Sequence, residues 1–153
     1  MADGADKISI ANDVSIKAYC WLNCRDDLKK SITLKIGDGC SIGRFAHINA
    51  YGSVVLEDHV LLAERVHISD CVHSFADSDR PIISQGDPYL APVIIKRGAW
   101  IGVGAVILPG VTIGRNAIVG ANTVVRKNTV VPDYHLAVGN PARIIPQRSV
   151  ALT

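Results

Sequence analysis

The chain is poor in aromatic residues and has no run of charge of one sign. Phe, Trp and Tyr make up 5% of its 153 residues, whereas hydrophobic residues make up 48%. A core is therefore possible, but it must be built mainly from aliphatic side chains. The formal net charge is +2, and without a basic run this charge gives no case for a nucleic-acid or membrane-surface partner.

Long apolar runs and zinc-type cysteine spacing are also missing. No stretch approaches the roughly 20 apolar residues of a membrane-spanning helix, and the polar residues 1–7 are unlike a signal peptide. The four cysteines, Cys20, Cys24, Cys40 and Cys71, do not have zinc-finger spacing. We therefore expect a cytoplasmic protein with reduced thiols, no transmembrane segment and no bound metal. Residues 25–30 carry mixed charge and predict a solvated loop.

A six-residue repeat of aliphatic side chains dominates the second half of the chain. Every sixth residue from Ile95 is Ile or Val: Ile101, Ile107, Ile113, Val119, Val125 and Val131. The same step occurs earlier, at Ile36, Ile42 and Ile48, at Leu56, Leu62 and Ile68, and less cleanly at Ile10, Ile16 and Leu22. The register slips by two between Ile48 and Leu56 and breaks between Ile68 and Ile95.

A period of six fits neither an α-helix nor a simple hairpin meander. It predicts a solenoid in which three hexads close one triangular coil of about 18 residues and the aliphatic side chain points inward. Each buried aliphatic side chain contributes roughly 1.5–3 kcal/mol. Since one coil cannot bury its own face, the stability must come from stacking of neighbours. Gly and Asn at the corners would tolerate a positive φ.

Three hexads carry a family resemblance: Ile-Gly-Asp-Gly-Cys-Ser, Ile-Gly-Val-Gly-Ala-Val and Ile-Gly-Arg-Asn-Ala-Ile. They resemble the hexapeptide-repeat acyltransferases, and the resemblance covers about residues 8–145. It implies a left-handed parallel β-helix, although the general rule for parallel crossovers predicts right-handed connections. We predict one all-β domain over residues 1–153, with coils at about 8–73 and 93–132 and a C-terminal segment at 133–153. We predict one ejected loop at about 74–94. The next coil begins at about residue 93, so the two predicted ranges overlap at residues 93–94.

The break in the register is where we expect the chemistry. The segment after Ile68 is polar, and a long loop ejected from a regular scaffold commonly carries function. His73 closes the last hexad before the loop. A histidine, with a usual pKa of about 6.5, can accept a proton from a hydroxyl group at neutral pH. Asp70 could hold its other ring nitrogen, with Asp77 and Asp79 as alternatives.

A second resemblance concerns the reaction. The string Ile-Ser-Asp-Cys-Val-His-Ser-Phe, which ends two residues after His73, resembles the catalytic-histidine motif of sugar O-acetyltransferases, both maltose/galactoside and polysaccharide-modifying. The resemblance implies direct transfer of an acetyl group from acetyl-CoA to a sugar hydroxyl, with His73 as the general base. It also implies a homotrimer with sites between subunits, and a role for Asn49 in binding the acceptor or the reacting centre.

Further binding residues follow from position and residue type. Arg80 could meet a polar or acidic acceptor, or pair with Asp77 or Asp79, and His67 could line the cleft. Trp100 could pack on the cofactor or on the acceptor sugar. The remaining candidates for the acetyl-CoA site are small residues that permit close approach and cations that could meet phosphates: Gly102, Gly120, Ala121, Arg126, Lys127 and Arg143.

Four other interpretations stay open. An amino-sugar N-acetyltransferase or a serine acetyltransferase would use the same fold. A γ-type carbonic anhydrase would need zinc-binding histidines five residues apart, and no pair here has that separation. A non-catalytic β-helix would serve as a scaffold or binding subunit.

Overall fold

In the computed structural model, which describes residues 1–24, 31–86 and 88–146, the chain forms a parallel β-helix. Short strands separated by tight corners wind around one axis. Each strand pairs in parallel with the equivalent strands of the neighbouring coils. The loop that the sequence predicts at 25–30 lies outside the described residues.

Three sheets form the faces of a three-sided prism. Face I contains Ile8–Ile10, Leu34–Ile36, Val54–Leu56, Val93–Ile95, Thr112–Ile113 and Val130–Val131. Face II contains Ser15–Ile16, Ser41–Ile42, Leu61–Leu62, Trp100–Ile101, Ile118–Val119 and His135–Val138, followed by the antiparallel strand Arg143–Pro146. Face III contains Ala2–Asp3, Trp21–Cys24, His47–Ala50, His67–Ser69, Val106–Ile107 and Val124–Val125.

The remaining elements of residues 1–24, 31–86 and 88–146 are short. Cys71–Val72 pairs antiparallel with Tyr89–Leu90, outside the three faces. Two 3₁₀ helices cover Ala5–Lys7 and Ile82–Ser84. Within the described residues no helix has the length and apolar character needed to cross a membrane.

The aliphatic side chains of the hexads stack inside the prism in three columns. On face I, Ile95 pairs with Ile113 and Ile113 with Val131, each 18 positions further along the chain. All three are fully buried, and the corner residues Ala99 and Ala117 are fully buried as well. The predicted all-β solenoid with coils of three hexads is therefore confirmed, and its core is the stack of these columns.

All three irregularities of the register lie on the same edge of the prism, where the chain passes from face III to face I. A regular hexad would advance six residues there. The chain instead advances 14 from Leu22 to Ile36, 8 from Ile48 to Leu56 and 27 from Ile68 to Ile95. We call this edge the loop edge. The register therefore departs from six residues only along this edge, which is opposite face II.

The regular six-residue corners, which exclude the loop edge between Ile48 and Leu56 and between Ile68 and Ile95, impose a left-handed backbone conformation on the third residue after the inward aliphatic residue. Gly98, Asn116 and Tyr134 occupy this position in three successive coils of one edge, with φ values of 72°, 50° and 58°. The sequence led us to expect Gly and Asn at such corners. Tyr134 shows that the coil geometry imposes the same conformation on a bulky side chain, for which it is unfavourable.

Close approach between coils explains the glycine that follows some inward residues. A Cβ atom on Gly43 would lie 2.5–2.6 Å from backbone atoms of Ala63 and Glu64 in the next coil. A Cβ atom on Gly120, in the equivalent position, would meet a side-chain methyl of Val138 at 3.0 Å. Backbone atoms cannot move aside as a side-chain methyl group can. Of these two positions, therefore, Gly43 strictly requires glycine and Gly120 does not.

We predict that Gly43→Ala lowers the free energy of unfolding by roughly 1–3 kcal/mol, because the new methyl group overpacks a backbone contact. Gly120→Ala is the matched control and should cost clearly less. Urea denaturation of both variants measures the difference. Equal losses would contradict the assignment of the Gly43 position to coil–coil contact.

Candidate active site

A cleft of about 610 Å³ lies where face III meets the loop edge. Its polar wall includes Asn49, His67, Ser69 and His73, and its apolar wall is formed by Val72, Ile83, Pro88 and Leu108. The polar side chains come mainly from strands of the scaffold. The apolar ones come mainly from the ejected loop, so the cleft exists only because the register breaks here.

His73 lies in this cleft, as the sequence predicts. It directly follows the strand Cys71–Val72, whose antiparallel pairing with Tyr89–Leu90 ties the two ends of the loop together. The side chain is exposed. The imidazole is therefore accessible to a substrate at a point fixed by a paired strand, which is the placement that a general base requires.

Asn49 also lies in the cleft, with its side chain held by a neighbouring coil. The Asn23 amide donates to Asn49 Oδ1 over 3.0 Å and to the Tyr51 hydroxyl over 3.3 Å. Because Asn23 satisfies the side-chain oxygen of Asn49, the amide NH₂ of Asn49 is the half of the group suited to donate to a substrate.

A stack of three rings supports the polar wall from the N-terminal side. Trp21 lies parallel to His47 with ring centroids 4.5 Å apart, and His47 meets His67 edge-on at 5.0 Å. Burial lowers the pKa of His67, and the nearby His47 lowers it further. His67 therefore favours the neutral form, which can both donate and accept a hydrogen bond. Nε2 of His47 is buried, and no described residue offers it a hydrogen-bonding partner.

Asp70 does not occupy the position that the sequence led us to expect. No hydrogen bond joins it to His73 within the described structure. It is fully buried, and its carboxylate accepts backbone N–H bonds from Tyr51, Gly52 and Ser53 over 2.9, 2.7 and 2.6 Å. Burial raises the pKa of Asp70, and these N–H groups act in the opposite direction. Its contacts are those of a support for the preceding coil rather than of a partner for the imidazole.

Arg80 is held within the loop and is not among the residues that line the cleft. Its guanidinium donates to the Ser84 carbonyl. Gln85 organises the same segment, since its amide donates to the carbonyls of Asp77 and Arg80, each over 2.8 Å, and its oxygen accepts from the Asp77 N–H. Arg80 therefore helps to shape the loop, and its contact with an acceptor stays a prediction.

Lys127, for which a contact with CoA phosphates stays a prediction, contacts the loop. Its ammonium lies 5.8 Å from the ring centroid of Phe75 and 5.4 Å from that of Tyr89. Such cation–π contacts contribute about 0.5–1 kcal/mol each at exposed sites. Lys127 therefore fastens the loop to the scaffold, although it is exposed, as is the neighbouring Arg126.

The other residues predicted for acetyl-CoA lie away from this cleft. Trp100 is on face II, which is opposite the loop edge, and it is 47% exposed. Gly102, Gly120 and Ala121 are at the corner that leads from face II to face III, and Arg143 is on the antiparallel strand of face II. Within one chain, Trp100 and this group cannot share a cleft with His73.

Several cleft residues escaped the sequence analysis. Tyr51 lines the cleft, and its position after Asn49 at the two-residue slip is its only signal in the sequence. Leu108 was missed because it reaches the cleft only through pairing across the ejected loop, which sets Ile107 beside Ile68. Ile83, from the short helix in the loop, carried no periodic signal at all.

Comparison with known proteins agrees with this geometry. Residues 92–127 match the family model described as bacterial transferase hexapeptide (six repeats). The chain is 39% identical over 119 residues to a Mycobacterium tuberculosis protein named Probable acetyltransferase Rv3034c. The aligned region covers 78% of this chain and 39% of that protein. The chain is 38% identical over 93 residues to the galactoside O-acetyltransferase of Escherichia coli, covering 61% and 43%. The chain thus spans about two fifths of the length of these relatives.

A solved structure extends the similarity. The hexapeptide-repeat containing acetyltransferase of Vibrio cholerae, in complex with acetyl coenzyme A, superposes with a TM-score of 0.74 at 28% identity over 89% of this chain and 69% of that chain. Fold and repeat together define a left-handed parallel β-helix, so the handedness implied by the resemblance is confirmed against the general crossover rule. The chain therefore has the repeat and the fold of the hexapeptide-repeat transferases.

We predict that Lys127→Gln loosens the loop, because two cation–π contacts are lost. Amide hydrogen exchange of residues 73–86 should rise several-fold, which mass spectrometry can resolve by peptide. Arg126→Gln removes the adjacent charge without touching Phe75 or Tyr89 and should leave the exchange unchanged. The same rise in both variants would contradict a fastening role for Lys127.

Proposed function

We propose that this protein transfers an acetyl group from acetyl-CoA to a hydroxyl group of a sugar, with His73 as the general base. The observation that carries the proposal is the exposed imidazole in a cleft at the ejected loop of a hexapeptide-repeat scaffold. Relatives on this scaffold are named acetyltransferases, one of them with galactosides as acceptors. The protein would act in the cytoplasm.

The reaction needs one proton to move twice. The acceptor hydroxyl attacks the carbonyl carbon of the thioester while the His73 imidazole takes the hydroxyl proton. The tetrahedral intermediate then collapses, the carbon–sulfur bond breaks, and the CoA thiolate takes the proton from the imidazolium. The acetyl group therefore passes directly to the acceptor, and Cys71, although it lines the same cleft, does not become acylated.

Charge on the intermediate needs hydrogen-bond donors. The amide NH₂ of Asn49 is available in the cleft, since its oxygen already accepts from Asn23. We assign it to the developing oxyanion or to the acceptor hydroxyl. Removing a donor of this kind typically slows a reaction by about 10²–10³-fold.

The composition of the cleft suits a sugar. Polar side chains such as Asn49, His67 and Ser69 can pair with hydroxyl groups, and Val72 and Leu108 offer apolar contact to ring C–H groups. Cleft walls of this mixed kind are usual for small-molecule sites.

The acetyl-CoA site would lie between subunits of a homotrimer. In one chain, Trp100 and Gly102 lie on or beside face II and His73 lies at the opposite edge. A neighbouring subunit that brings its face II to the loop edge would join the two groups. Gly102, Gly120 and Ala121 would allow the slender pantetheine arm to approach the backbone, with Arg126 and Arg143 near its phosphates.

We predict that His73→Ala lowers kcat by about 10²–10⁴-fold, the usual contribution of a general base. Release of CoA thiol with a panel of sugars measures the rate, and mass spectrometry identifies the acetylated product. His59→Asn is the control, since His59 sits at an exposed corner with a positive φ that Asn tolerates. Wild-type turnover no faster than that of His73→Ala would overturn the enzyme assignment.

We predict that light scattering gives the mass of three chains. Co-expression of His73→Ala with Trp100→Ala should then recover part of the activity that each variant has lost, because some interfaces would combine an intact His73 with an intact Trp100. An active monomer, or a mixture no more active than its two components, would contradict the shared site.

A further inference from the structure

Asp70 joins the two segments that supply the polar wall of the cleft. Its backbone N–H donates to the Asn49 carbonyl over 3.2 Å, and its own carbonyl accepts from the Ala91 N–H over 2.9 Å. Its side chain holds residues 51–53 through three N–H bonds. One residue therefore fastens the turn after Asn49, the start of the loop and the end of the loop to each other.

The turn at 51–53 is the two-residue slip of the hexad register. A regular corner would pass from Ile48 to the next inward residue in six steps, and here the chain uses eight. Tyr51, in this turn, lines the cleft together with Asn49. Because the turn has no hexad geometry of its own, the carboxylate that binds its three N–H groups determines its shape.

A buried carboxylate is costly to a fold unless it is hydrogen-bonded. The positions equivalent to Asp70 in the two later coils of this face, Pro109 and Lys127, carry no carboxylate. Apolar packing would serve simple stability at least as well. The carboxylate occurs where the cleft is, which points to a role in the site.

We propose that Asp70 is a positioning residue for acceptor binding: it acts through the 51–53 turn, which it holds so that Tyr51 faces the acceptor, and not through Asn49 or the His73 imidazole. This role rests on the proposed transferase function, and it concerns how the acceptor binds rather than how the proton moves. Acetyl-CoA binding and proton transfer at His73 should then be nearly independent of Asp70.

Asp70→Asn tests the role with little change of volume. The remaining carbonyl oxygen can still accept from the Tyr51 N–H, but an NH₂ group faces the N–H groups of Gly52 and Ser53 and cannot accept from them. We expect KM for the acceptor to rise by about tenfold or more, as loss of a charge-assisted hydrogen bond allows. We expect kcat, KM for acetyl-CoA and the midpoint of the pH profile of kcat to stay close to wild type.

Ser53→Pro tests the same contact from the other side and leaves Asp70 intact. It removes the shortest of the three N–H donors, and Pro92 occupies the equivalent position of the next coil, where Val93 pairs with Val54. The acceptor KM should rise as in Asp70→Asn. This variant decides the question if Asp70→Asn does not fold.

Thr123→Val is the matched control. Thr123 is fully buried and its hydroxyl accepts from the Gly139 N–H over 3.1 Å, away from the cleft lining. Its loss should lower the melting temperature without changing the acceptor KM. A rise of the acceptor KM in all three variants would reduce the effect to general destabilisation and overturn the proposal.

Two other outcomes are decisive. A loss of kcat comparable to that of His73→Ala, or a shifted pH midpoint, would make Asp70 the partner of the imidazole and overturn the positioning role. A wild-type acceptor KM in Asp70→Asn and Ser53→Pro would overturn it too, while the transferase function stands. If wild type transfers acetyl to no sugar, the proposed function fails, and the positioning role fails with it.

Discussion

The whole structure depends on the vertical stacking of aliphatic side chains inside the prism. Ile95 lies on Ile113 and Ile113 on Val131, and no coil could bury its own inward face without its neighbours. Stacking fixes where each strand begins and which side chains point outward. An outward side chain such as His67 is therefore held at a position set by Ile68, its buried neighbour in the strand. The precision of the cleft derives from this regular core.

The sequence was sufficient to predict the core because stacking leaves a periodic trace. Ile95 to Val131 obey the six-residue step without exception, and the structure confirms their columns. His73 could be located because it stands where the step fails. The handedness of the coil left no trace in the spacing, and only the family resemblance supplied it.

The rest of the site could not be predicted because it depends on contacts that no period encodes. Asp70 lies close to His73 in the sequence, yet its carboxylate turns toward the preceding coil, where residues 51–53 offer three N–H groups. Lys127 meets Phe75 and Tyr89 only after the loop has folded back. The sequence did not show that Trp100 and His73 lie far apart within one chain, because a solenoid separates residues by face and face II lies across the prism from His73.

Because every irregularity of the register lies on one edge, core packing and substrate contact are assigned to different parts of the fold. The number of residues between strands is fixed at the two regular edges only. The length of chain between Ile68 and Ile95 therefore does not affect how the coils stack. The segments that contact substrate could therefore differ in length or sequence while the stacked aliphatic columns of the core stay unchanged. A single scaffold of this type can thus carry many different acceptor clefts, each formed by the loops along one edge of the prism.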